Sequence, residues 1–80
     1  MTRVTVLYFA SLRDAAGVAS EVVDSSDDDL RALYATLSAR HGFGLPAERL
    51  RVAVDGVFAS WDDAPRTGSE VAFIPPVSGG

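Results

Sequence analysis

The sequence predicts an α+β roll, a mixed sheet of four or five strands with one main helix packed across one face. Three observations predict it. Short apolar runs bounded by turn residues, Val4 to Ala10 and Val71 to Ile74 above all, read as strands at the two ends of the chain. Leu30, Leu33, Tyr34 and Leu37 fall at i, i+3, i+4 and i+7, the apolar stripe of a helix that covers a sheet. Asp55-Gly56, between two further apolar runs, is a two-residue hairpin turn.

The first strand, Arg3 to Ala10, is apolar on both faces. Val4, Val6 and Tyr8 point one way and Leu7 and Phe9 the other, which predicts a central, doubly covered strand. Ser11 to Gly17 turns the chain, with room for one helical turn. Ala19 to Asp24 forms a weaker second strand, carried by Val22 and Val23, that pairs with the first as a hairpin. Ser26, three residues ahead of Asp29, predicts a capping box at the helix start, and the three consecutive acids suit the positive end of the helix dipole. Arg40 and His41 complement the other end, and Gly42 supplies the residue that ends the helix. Phe43 to Arg49 is a loop, broken by Pro46. Leu50 to Val54 and Val57 to Ser60 form the hairpin, Trp61 lies as a lid on the edge of the core, and Val71 to Ile74 is the last strand. The β-grasp arrangement fits this order, with the first and last strands parallel and adjacent in the middle of the sheet. Residues 1–74 form the domain.

Pro75 and Pro76 end the last strand, because proline has no N–H for the ladder and its φ is fixed. Val77, Ser78, Gly79 and Gly80 follow, so residues 75–80 read as a tail able to reach roughly 20 Å if extended. A diglycine end suits a carboxylate that is threaded into another enzyme and activated there, since glycine offers no side chain to block a narrow channel.

Eighty residues are enough for one small core, so most large apolar side chains are committed to folding. The formal charge is −4 and the seven basic residues are scattered, which argues against a nucleic-acid partner and suits docking to a protein. The chain has no cysteine, hence no disulfide, thiolate metal site or thiol nucleophile. No stretch is long enough to span a membrane and the first ten residues make a poor secretory signal, which reads as cytoplasmic. His41, the only histidine, has no second histidine or cysteine with which to share a metal, and Asp27-Asp28-Asp29 would point in different directions on a helix. No serine sits in a nucleophile motif and no Gly-rich loop opens a helix. No metal, bound cofactor or self-contained active site is therefore expected. The distinctive reactive group is the carboxylate of Gly80.

Val6 to Gly17, Val52 to Gly56 and Gly68 to Gly80, with the closing run Phe73-Ile74-Pro75-Pro76-Val77-Ser78-Gly79-Gly80, resemble the family of small molybdopterin synthase subunits. These are ubiquitin-like sulfur carriers of the β-grasp fold. The resemblance implies that an adenylating, E1-like enzyme uses ATP to activate the Gly80 carboxylate and that a sulfurtransferase converts it to a thiocarboxylate. It further implies that Pro75, Pro76, Val77, Ser78 and Gly79 are inserted into the active site of the large synthase subunit, within a heterotetramer, where Gly80 gives sulfur to a pterin precursor in molybdenum cofactor biosynthesis. Catalytic groups would then belong to the large subunit, and this chain would be a carrier. By position, Phe9, Arg13, Phe58 and Ile74 match the family's docking residues. Asp55, Ser69 and Ile74 stand where the family commonly has Asn, Asp and Phe. The alternatives are a carrier for thiamin or cysteine synthesis, a ubiquitin-like protein modifier, or a plain interaction module.

Overall fold

The computed structural model describes residues 1–76; Val77, Ser78, Gly79 and Gly80, the expected inserted end of the tail, lie outside the described residues. The elements are β1 (Thr2–Tyr8), α1 (Ala10–Ala16), β2 (Ser20–Ser25), α2 (Leu30–His41), a 3-10 turn (Ala47–Arg49), β3 (Arg51–Val54), β4 (Val57–Ala59) and β5 (Glu70–Ile74). The strands form one sheet in the order β2-β1-β5-β3-β4. β1 and β5 run parallel, and the other neighbours are antiparallel. The first and last strands therefore lie side by side in the middle, as the β-grasp order predicts.

Register sorts the side chains between the two faces. Val6 pairs with Val71, Tyr8 with Phe73 and Val52 with Phe73, so alternate residues of the central strands share one side. On that side Val6, Val71 and Phe73 are buried with Leu30, Leu33, Tyr34 and Leu37 of α2. Each such side chain contributes about 1.5–3 kcal/mol by leaving water. This face is the core, and α2 is its roof.

The other face of β1 departs from expectation. Leu7 is only half-buried and Phe9 is 45% exposed. Among the described residues α2 is the one long helix, so only one side of the sheet is roofed. Phe9 has also left the strand: it is the N-cap of α1, a helix of seven residues where the sequence promised at most one turn. Similarly, Val23 is buried but its neighbour Val22 is exposed on the open face.

The start of α2 corrects a second expectation. Ser26 does not cap it. Asp29 is the N-cap, and its carboxylate accepts the Ala32 N–H at 2.7 Å. An N-cap side chain satisfies the N–H two or three residues on, and the helix begins at Leu30. Two more first-turn amides are taken by backbone carbonyls of the loop after β4, Leu30 N–H by Asp63 and Arg31 N–H by Trp61. At the far end Gly42 takes φ 73°, which closes α2 onto the Ser38 carbonyl. The Asp55-Gly56 turn has φ 51° and 84°, and Val54 pairs with Val57 across it, as the hairpin reading requires.

Candidate functional site

The site is the end of the sheet at which β5 finishes. β1 and β5 are parallel, so both arrive at this end, one delivering Phe9 and α1, the other delivering Ile74 and the tail. The last ladder pair of β5 is Ile74 with Arg51. Pro75 is half-buried and Pro76 exposed. The two prolines line a shallow groove of about 250 Å³ with Glu48, Arg49, Leu50 and Arg51.

The four expected docking residues are distributed as follows. Phe58 lies on β4 and is 63% exposed, on the face away from α2. Register places Leu7, Ala72, Ala53 and Phe58 in one row across that open face, and Ile74 lies two residues beyond Ala72 on the same side. The Arg51 guanidinium sits 5.2 Å from the centre of the Phe58 ring, close enough for a cation–π contact. Phe58 and Ile74 thus belong to one apolar surface with Arg51 between them. Phe9 is itself extended (φ −125°, ψ 150°), which continues the alternation of Leu7 and turns its ring to the same side. Arg13 is exposed on α1, at the tail end but off the strands.

Sequence reasoning missed Leu7 and Ala72 as half-exposed residues of the open face and Arg49 and Arg51 as neighbours of the tail. Period-two alternation in the last strand, with Ala72 and Ile74 opposite Phe73, carried the signal for the first group. Nothing local carried the second, because it depends on β3 pairing with β5.

One polar cluster braces this end of the molecule. Glu21 Oε2 accepts the Tyr8 hydroxyl at 2.6 Å and lies 2.6 Å from His41 Nε2. Arg40 approaches the other carboxylate oxygen at 3.8 Å. Burial pushes the Glu21 carboxyl up, but the hydrogen bonds from Tyr8 and His41 outweigh it and hold the group below its usual range. Burial, then the bond to Glu21, pushes the Tyr8 phenol well above its usual value. The cluster joins β1, β2 and the end of α2; His41 is thereby a structural partner. Among the described residues no group of three His, Cys, Asp or Glu side chains could hold a metal ion. No helix among them is long and apolar enough to cross a membrane.

Residues 6–80 match the ThiS family. The chain belongs to the ThiS family. A relative of this ThiS-family chain, the molybdopterin synthase sulfur carrier subunit of Escherichia coli K12, is 38% identical over 80 residues, covering 96% of this chain and 99% of the relative. Among solved structures, the small archaeal modifier protein 1 of Haloferax volcanii superposes with a TM-score of 0.80 at 25% identity, covering 96% of this chain and all of the other. The complex of subunits 1 and 2 of the molybdopterin-converting factor of Helicobacter pylori matches with a TM-score of 0.68 at 20% identity, covering 99% and 100%, a likeness of fold. The family match reaches Gly80, so the diglycine end falls within it and not beyond it.

Proposed function

We propose that this chain is the sulfur carrier subunit of molybdopterin synthase. The observation that carries the reading is the end-to-end likeness to the Escherichia coli sulfur carrier subunit, at 38% identity. In the proposed cycle an oxygen of the Gly80 carboxylate bonds to the α-phosphorus of ATP on an adenylating enzyme, and pyrophosphate leaves. Sulfide-level sulfur delivered by a sulfurtransferase then attacks the acyl carbon and AMP leaves, giving a thiocarboxylate. The loaded tail enters the large synthase subunit and gives its sulfur to the pterin precursor, two transfers completing the dithiolene. ATP is used by the activating enzyme, and this chain binds no cofactor of its own. Its body presents the tail: the ladder ends at Ile74, and the open face with Phe58 and Ile74 forms the docking surface beside it. The setting is cytoplasmic, and the assembly a heterotetramer.

A second reading, a protein modifier, is favoured by the likeness to the archaeal modifier. The chain contains no lysine, so it could not build chains on itself through side-chain isopeptide bonds. Incubation with an activating enzyme, ATP and a sulfur donor separates the two. The carrier gains the mass of one oxygen replaced by sulfur at Gly80. Conjugates of higher mass on other proteins, with no such product, would overturn the carrier reading.

A further inference from the structure

We infer that the end of the molecule from which the tail departs is a basic collar, centred on Arg49 and Arg51, that docks on a carboxylate-lined rim of the large synthase subunit and brings the chain in tail first. This rests on the carrier reading above. The net charge of −4 is unevenly placed. β2 ends beside the start of β1, and α2 begins there, while Asp55 adjoins Glu70 at the start of β5. That far end therefore gathers Asp24, the Asp27-Asp28-Asp29 run, Asp55 and Glu70 against only Arg3 and Arg66. The tail end has Arg13, Arg40, Arg49 and Arg51 against Asp14, Glu21 and Glu48. Among the described residues, most of the excess negative charge therefore lies at the far end.

The pairing differs as well. Arg3 holds Asp24 at 2.8 Å at the far end, and Arg31 at the start of α2 holds Asp62 at 2.6 Å. Arg49 and Arg51 are exposed and make no ion pair among the described residues. Among the described residues Glu48, exposed, is the one carboxylate lining the same groove. A strand the length of β5 spans about 16 Å, and charges separated by more than about 8 Å are largely screened at physiological salt. The far-end acids therefore do little to cancel the collar. Arginine is also the cation that grips a carboxylate with two parallel bonds. The collar is continuous with the open face through Arg51, which touches Phe58 and pairs with Ile74. A partner that covers the face and swallows the tail must meet both arginines, and acidic groups satisfy them.

The test measures association of the full chain with the large synthase subunit by stopped flow, at low and high salt. Arg49→Glu and Arg51→Glu are compared with Arg66→Glu, an exposed far-end site where the same change in net charge falls away from the collar. The collar variants are expected to associate about fivefold or more slowly at low salt, with the gap closing at high salt, as for electrostatically steered encounters. Arg66→Glu is expected to change the rate less than about twofold. Equal slowing by Arg66→Glu would assign the effect to net charge and overturn the collar, as would no slowing by any variant. Arg49→Gln, which removes charge without adding any, is expected to give an intermediate rate and stands in if a reversal fails to fold. If the unaltered chain does not bind the large subunit at all, the carrier reading falls first and the collar with it.

Discussion

The Trp61 indole lies flat against Phe73, ring centres 5.9 Å apart and planes within 5° of parallel. Phe73 is the last fully buried residue of β5, and Tyr34 of α2 meets the same ring edge-on at 5.1 Å. Trp61 thus pins the loop after β4 onto the residue next to Ile74, and its carbonyl takes an amide of α2's first turn. It is a lid on the core, as its place after the hairpin suggested. Trp61→Ala is expected to cost about 2 kcal/mol, less than a fully buried tryptophan because Trp61 is half-buried. Urea unfolding checks this; a loss below about 0.5 kcal/mol would show that the stack adds nothing.

Glu21 supplies a pH dependence whose sign follows from its surroundings. Its folded-state pKa is below the unfolded value, because Tyr8 and His41 donate to the ionised carboxylate. Such a group contributes stability that is fully present above the unfolded carboxylate pKa of about 4.3. That stability is lost as pH falls through the folded value. The chain is therefore expected to lose this part of its stability only as pH falls below about 4.3, and Glu21→Gln to flatten that slope. Melting temperatures measured from about pH 6 to about pH 2.5 decide it; parallel curves for both proteins below about pH 4 would show that Glu21 does not carry the effect.

The fold was legible where a pattern is local. Leu30, Leu33, Tyr34 and Leu37 announce α2 by spacing alone, and Asp55-Gly56 announces its hairpin by backbone need. The end of β5 was legible for the same reason, since Pro75 and Pro76 follow Ile74. The cap of α2 was misplaced by three residues because Ser26 and Asp29 are both good caps, and the choice was made by where Asp63 and Trp61 lend their carbonyls. Leu7 and Phe9 looked buried because apolarity does not say which face of a sheet is roofed. The neighbourhood of Arg49, Arg51 and the prolines could not be read at all, since it is created by long-range strand pairing.

Ala10 opens α1 with φ 51°, in the left-handed region that disfavours a residue with a Cβ. The junction follows Phe9 directly, so strain is stored where β1 hands over to the tail end of the molecule. Ala10→Gly removes the Cβ clash, worth about 1–2 kcal/mol, against an entropic cost of about 0.5–1 kcal/mol. A net gain of about 0.5–1 kcal/mol is expected by denaturant titration. A loss of stability would mean that Ala10 is not held in this conformation in solution.

On the carrier reading, docking and chemistry lie on different parts of this architecture. Phe58 is 63% exposed, so its side chain contributes little to folding and much to the open face it shares with Ala53, Ala72 and Ile74. Phe58→Ala is expected to move the unfolding midpoint by no more than a surface substitution, within about 0.5 kcal/mol. It is expected to weaken binding to the large synthase subunit about 10- to 100-fold, the size of an aromatic anchor. Deleting Gly80 should do the reverse. The last ladder pair is Ile74 with Arg51, so removing Gly80 leaves the sheet and the docking face in place. Binding then changes little, while thiocarboxylate formation and sulfur transfer are abolished. Calorimetric titration together with intact-mass analysis of the activated chain reads both quantities on the same two variants. Loss of binding with Gly80 and its retention with Phe58→Ala would reverse the assignment and put the affinity in the tail, not in the face.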